Sequence, residues 1–373
     1  MANIEDYLKW RGDLSFKVNP FNEVDNLILS ELAYLNLEGI ADKKIKMKDA
    51  IEGYFKKYTE KEILKEFALS TNPINFYRQL QNSTRFGNLN IIKFVNEMSK
   101  SESKQFSALI VEMDLNTIYI AFKGTDKYLI GWKEDFNLSY MDAVPSQISA
   151  LSFINNHVKF KHRKIYIGGH SKGGNLAVYA ATFCKKNIQK RIKAVYNNDG
   201  PGFLDEFIAL PNYQTILPKI TTILPETSII GMLLTHKGQY KVVKSNTVGI
   251  WQHDALSWQV NKDHFITIEK VDETSNKIQQ TITDWLQKIG KKEREEFINT
   301  LFDLLDKNKI ETVEDLIKLK LRKIPGLLKE FTKLNEKQRK LMMDLLKDLM
   351  TEASKHFERK SILHPLKYLN RRD

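Results

Sequence analysis

The chain has 373 residues, a hydrophobic fraction of 42%, and 20 Phe, 14 Tyr and 5 Trp, enough for a sizeable core plus an appendage or second domain. A net charge of +12 admits an anionic partner, but Lys is mixed with Glu on helical patterns, and no zinc-ligand spacing, RNA-binding aromatic signature or Arg-rich arm accompanies it. Nucleic acid is therefore a minority expectation, while peripheral contact with an anionic lipid surface stays open.

No apolar run is long enough to span a bilayer, and the N-terminus lacks a signal-peptide core. The single Cys184 excludes an internal disulfide and fits a reducing cytoplasm; a small buried apolar role suits it best.

From Tyr7 to about Tyr77 the pattern is helical, with Thr71-Asn72-Pro73 as a turn or helix start and a further break at Phe86-Gly87-Asn88 before Ile91. The texture changes near Phe106. Runs over 106–113 and 115–122 read as a β-hairpin, and the second stops at Lys123-Gly124-Thr125-Asp126. Helical patterns follow at 132–136 and 144–160. Strands are expected at 165–167, 192–196, 220–224 and 240–245, with a helix from Leu176 to Ala181. Strands alternating with helices imply a mostly parallel sheet with helices on both faces. After about Asn276 only helices are expected, at 278–289, 293–306, 313–321, 324–334 and 336–357. The chain thus divides into an α/β unit over 1–275, with a helical segment over 1–100, and a helical unit over 276–373.

The chemistry gathers on Ile165-Tyr-Ile-Gly-Gly-His-Ser-Lys-Gly-Gly-Asn-Leu-Ala177. Within it, Gly169-His170-Ser171-Lys172-Gly173 is a Gly-x-Ser-x-Gly pattern between a strand-like and a helix-like run, the context of a nucleophile elbow. A serine hydroxyl needs an imidazole to take its proton, and the imidazole needs a carboxylate to fix its tautomer. In sheet enzymes of this kind the order is Ser, acid, His, each after the C-terminal end of a strand. His253, in a loop after the last strand, suits the base better than His236, His264, His356 or His364. Two acids qualify. Asp199 ends the strand after the elbow helix, within Asn-Asp-Gly-Pro-Gly, and Glu226 ends the next; Asp199 is narrowly preferred, while Asp254 would point away from its neighbour His253. The oxyanion would be held by the Lys172 N–H and by the Gly124-Thr125 turn. No metal or organic cofactor is implied.

Phe122-Lys-Gly-Thr125 with Trp132 and Asp135, followed by Gly169-His-Ser-Lys-Gly-Gly-Asn-Leu-Ala177, resembles the class 3 lipase branch of the α/β hydrolases. Asn198-Asp-Gly-Pro-Gly-Phe203, Ser228-Ile-Ile-Gly-Met-Leu-Leu234 and Gln252-His-Asp254 with Ser257-Trp258 bring it nearest a bacterial lipase-like family of unassigned activity. The resemblance spans about Tyr7 to Phe265. It implies an α/β-hydrolase fold and a serine esterase acting on a small-molecule or lipid ester, or a thioester. Ser171 would be nucleophile and His253 base, with Thr125 and Lys172 at the oxyanion positions. Lipases of this class place their acid where this chain has Glu226. Lys172 stands where they carry Leu, implying a cation beside the pocket and a polar or anionic acyl group. The competing expectation is a catalytically silent hydrolase fold with a basic helical tail as partner surface.

Overall fold

The computed structural model describes residues 1–67, 70, 72–312, 314–315 and 324–356. Nine strands form one sheet in the order β1-β2-β3-β4-β5-β6-β7-β8-β11: Ile45–Lys46, Asn90–Ser99, Lys104–Glu112, Thr117–Phe122, Lys164–His170, Ile192–Asn198, Ile220–Pro225, Gln239–Val243 and Thr267–Ile268. A separate pair joins β9 (Val260–Asn261) to β10 (His264–Phe265). Strands β4 to β8 are mutually parallel, β1 to β4 form an antiparallel run leading into them, and β11 closes the far edge antiparallel to β8.

Parallel strands laid side by side in chain order carry their crossovers on one face, because such crossovers are right-handed. The residues divide accordingly. Phe106, Ala108 and Ile110 of β3 and Ile118, Ile120 and Phe122 of β4 pack with α7 (Pro145–His157) and α8 (Lys172–Phe183). Their alternates Leu109, Val111, Tyr119 and Ala121 face the N-terminal helices. Those helices are α1 (Ile4–Arg11), α2 (Glu23–Glu31), α3 (Met47–Lys57), α4 (Glu60–Glu66) and α5 (Pro73–Asn82). The helical segment read from the sequence is thus the second cover of the sheet. With both faces buried, all six residues of β4 are inaccessible, so the strand shows no polar alternation.

One buried ion pair ties this cover together. Arg85 donates to both carboxylate oxygens of Asp25, at 2.7 and 2.5 Å, and Tyr7 Oη donates to Asp25 Oδ1 at 2.7 Å. Burial works against the charge on Asp25, and Arg85 and Tyr7 supply the compensating contacts.

α6 (Leu129–Asn137) precedes α7, and three short helices, α9 (Lys186–Gln189), α10 (Asp205–Ile208) and α11 (Pro211–Ile216), follow α8. Beyond β11 the described elements are helical: α12 (Glu273–Lys288), α13 (Lys291–Lys307), α14 (Ile324–Lys333) and α15 (Glu336–His356). They enclose Ile289, Phe297, Phe302, Ile310, Met342 and Leu345, and Leu129 of α6 joins this cluster. No helix among the described residues is long and apolar enough to cross a membrane. All but 314–315 of the helix expected at 313–321, and His364, lie outside the described residues.

The mostly parallel sheet with helices on both faces is an α/β-hydrolase fold, as the motifs imply. Five strands were not expected: the two-residue β1, β9, β10 and β11, too short to leave a pattern, and β2, which with β1 lies inside the segment read as helical. β2 pairs along the whole of β3 but carries a register shift between Ile91 and Lys93 and exposes much of its length, which leaves only a ragged alternation to read.

Candidate active site

β5 runs straight into α8, and the residue between them is Ser171, with φ +56° and ψ −135°. A side chain held there is strained by about 1–3 kcal/mol and persists only where surrounding bonds over-determine it. Those bonds are present: Ser171 N donates to Asn198 O at 2.9 Å, and Gly174 N donates to Ser171 O at 2.9 Å. The flanking glycines are required by contact rather than by freedom of φ. A Cβ on Gly169 would overlap the Gly173 backbone, and one on Gly173 would overlap Phe122 O.

Asp199 follows β6 and is fully buried, with φ +50°. His253 Nδ1 lies 2.6 Å from Asp199 Oδ2, and Ser228 Oγ donates to Asp199 Oδ1. A carboxylate only accepts, so the His253 proton sits on Nδ1 and Nε2 is left as the basic nitrogen. Glu226 instead points its side chain into solvent; its backbone pairs with Val243 and Asp272. Of the two acids considered, the structure sets Asp199 against His253 and leaves Glu226 outside. The loop carrying His253 is pinned by Gln252, whose side-chain oxygen accepts from Thr227 N at 2.7 Å and whose carbonyl accepts from the buried Trp258 indole at 2.9 Å.

Ser171 belongs to the same cluster. The His253 ring lies 4.7 Å, centroid to centroid, from that of His170, the residue before the serine. A Cβ on Gly200, next to Asp199, would overlap Ser171 O. Ser171 Oγ makes no hydrogen bond to a described residue, and such bonds commonly tighten only once substrate is bound. Both Ser171 and His170 are 6% exposed.

Gly124 reaches this point from β4: a Cβ there would come within 2.9 Å of Ser171 Cβ. Next to it, Thr125 Oγ1 donates to Asp135 Oδ2 at 2.5 Å. Burial pushes the Asp135 carboxyl up to about 6, against the opposing pull of Lys172 and of the Thr125 hydrogen bond. The Lys172 side chain overturns one expectation. It is completely buried, with Nζ donating to Glu134 Oε2 at 2.8 Å and to Gln105 O at 3.1 Å. Burial opposes its charge, but Glu134 and Asp135 outweigh that and raise the ammonium above the ordinary lysine value. The cation expected beside the pocket lies beneath the elbow, neutralised, and gives no reason to favour an anionic acyl group.

Several residues that build this site carried no individual sequence signal. His170 Nδ1 lies 3.0 Å from Glu31 Oε1 and 3.3 Å from Tyr34 Oη. Burial would lower its pKa, but the Glu31 carboxylate leads the opposing charges and holds it above the usual histidine value. Asn198 donates to Gly169 O at 3.0 Å and accepts from Asn26 Nδ2 at 2.9 Å, tying the elbow to α2. Asn175 donates to Gly202 O at 2.8 Å and holds the loop after Asp199 against α8. Of the disfavoured histidines, His236 is bound to Gly231 O, His264 to the exposed Asp263, and His356 to Asp284 in the tail. Among the described residues, no group of His, Cys, Asp and Glu is arranged to hold a metal ion.

No curated protein matches the sequence. Among solved structures, the crystal structure of M37 lipase aligns with 55% of this chain and 68% of its own at 18% identity, with a TM-score of 0.32. The Mbeg1-like family model matches residues 80–303, a span that includes Ser171, Asp199, Glu226 and His253. The chain therefore belongs to the Mbeg1-like family.

Proposed function

We propose that the chain is a serine hydrolase that cleaves a carboxylic ester or thioester through an acyl-enzyme. Ser171 attacks the carbonyl while His253 Nε2 takes its proton, and the imidazolium is held by Asp199. The backbone N–H groups of Lys172 and Thr125 receive the oxyanion; His253 then returns the proton to the leaving group, and water repeats the sequence on the acyl-enzyme. The observation that carries this reading is the 2.6 Å contact between His253 Nδ1 and the buried Asp199, beside a serine strained into an elbow. The substrate is a small-molecule or lipid ester. The free, buried Cys184 suits a reducing cytoplasm, and burial pushes its thiol up to about 12, leaving it unreactive. We divide the chain into a hydrolase unit over 1–275 and a helical unit over 276–373.

A fluorophosphonate probe is expected to label the wild-type chain and not Ser171→Ala. Folded wild type that resists the probe, and hydrolyses none of a series of short- to long-chain p-nitrophenyl esters, would sink the proposal. The near-complete burial of Ser171 favours one second reading, a hydrolase fold whose chemistry is shut off. The same labelling separates the two.

A further inference from the structure

The charge beneath the elbow has no place in the triad, yet it is built with care. Lys172 and Glu134 are both 0% exposed. Burying two charges is expensive, and an apolar pair of similar volume would usually fold as well or better. The arrangement around Glu134 is also specific. Its Oε2 accepts from Lys172 Nζ at 2.8 Å, from Ser146 Oγ at 2.7 Å and from Gln105 N at 3.2 Å, and its Oε1 accepts from Ser146 N at 2.7 Å. One carboxylate thus joins the start of β3, the first turn of α7 and the first residue of α8. The next residue on the same helix, Asp135, accepts from Thr125 Oγ1 at 2.5 Å. Adjacent side chains of α6 therefore reach both places from which oxyanion donors would come.

We propose that Glu134 is a positioning residue: by gripping the Lys172 side chain it fixes the backbone N–H of Lys172 against the developing oxyanion. The proposal rests on the hydrolase reading above. Glu134 is buried behind the elbow and acts through Lys172. The predicted signature is a loss confined to the transition state, since a displaced oxyanion donor leaves the bound ester almost untouched.

The test uses the full chain, p-nitrophenyl butyrate as substrate and phenylboronic acid as a tetrahedral adduct former at Ser171. Glu134→Gln is expected to lower kcat by about 10- to 100-fold, short of the loss typical of deleting a donor outright. KM should stay within about twofold and the boronate inhibition constant should rise in step with the fall in kcat. Replacing both charges, Glu134→Met with Lys172→Met, is expected to recover most of kcat, because packing then holds the first turn of α8. Should Glu134→Gln fail to fold, Ser146→Ala decides: it removes one of the bonds to Glu134 and should lower kcat by about 3- to 10-fold at unchanged KM.

Folded Glu134→Gln with wild-type kcat, a kcat loss that boronate affinity does not follow, or a double variant that recovers nothing would each overturn the proposal. So would wild-type kcat in Ser146→Ala. A wild type that neither hydrolyses the ester nor reacts with a fluorophosphonate overturns the hydrolase reading itself, an outcome distinct from an active enzyme indifferent to Glu134.

Discussion

Asp199→Asn is the substitution that separates the two acids open in the sequence. The amide is nearly isosteric and keeps one oxygen, so the bond from His253 Nδ1 can survive if the amide nitrogen turns toward Ser228 Oγ, a hydroxyl able to accept. The negative charge beside the imidazolium is lost. With charge centres about 4 Å apart and an effective dielectric near 20, that charge contributes about 4 kcal/mol, or roughly a thousandfold in kcat. If the amide takes its other orientation, the tautomer inverts and the loss approaches about 10⁴-fold, as in the corresponding Asp→Asn change in serine proteases. Glu226→Gln, at an exposed position, should leave kcat within about twofold. The assay is p-nitrophenyl butyrate hydrolysis at pH 7.5, with melting curves to show that each variant is folded. Asp199→Asn retaining kcat within tenfold of wild type, or Glu226→Gln losing as much as Asp199→Asn, would refute the assignment.

Asp135 has its pKa raised to about 6 by burial, above the ordinary aspartate value. The folded state therefore binds that proton more tightly, and the contribution of Asp135 to stability falls as pH rises from about 4 to about 6. Asp135→Asn should melt higher than wild type at pH 7.5, with the advantage closing below about pH 4; a pH-independent difference contradicts this. Arg85→Met leaves Asp25 as an uncompensated buried charge and should cost about 3–5 kcal/mol in denaturant unfolding at pH 7, and a loss under about 1 kcal/mol would rule the ion pair out as a fastener. Phe302→Ala should cost about 3 kcal/mol. The Phe302 ring lies tilted 5.9 Å, centroid to centroid, from Phe136 of α6, so the whole chain should melt earlier in one transition; movement of a separate tail transition alone would show that the helices do not support α6.

The tight strand-to-helix turn at Ser171 was readable because its requirements are local. A Cβ at 169 or 173 would overlap backbone, and the residue between them carries a positive φ, so the constraints fall within five consecutive residues. Asp199 and His253, which the structure brings within 2.6 Å of each other, were candidates through chain order. Which of Asp199 and Glu226 meets His253 was not legible, because the His253 loop is held by a bond from the distant Thr227 N to Gln252 and by one from Trp258 inside the loop, which no local pattern announces. Lys172 shows the opposite failure. A lysine in a motif normally filled by Leu reads as a cation in the pocket, and its neutralising partner Glu134 lies on another element. Glu31 and His170 were invisible as a pair for the same reason.

The same distinction explains why so many polar side chains are buried around one serine. Ser171 and Asp199 both carry positive φ, and neither conformation would hold against relaxation without neighbours that oppose it. Each is clamped through its own backbone: Ser171 N to Asn198 O, and Asp199 N to Ile223 O at 2.8 Å. Asn198 is then fixed in turn by Gly169 O, Ser30 and Asn26, so the strain at Ser171 is carried by α2 on one face of the sheet. On the other face Lys172 is gripped by Glu134. A site resting on apolar packing alone could slide by fractions of an ångström at little cost; one pinned by buried hydrogen bonds cannot, because each broken bond strands a polar group away from water. The N-terminal helices and α6 are therefore better understood as the walls that keep one hydroxyl in place than as a generic cover for the sheet.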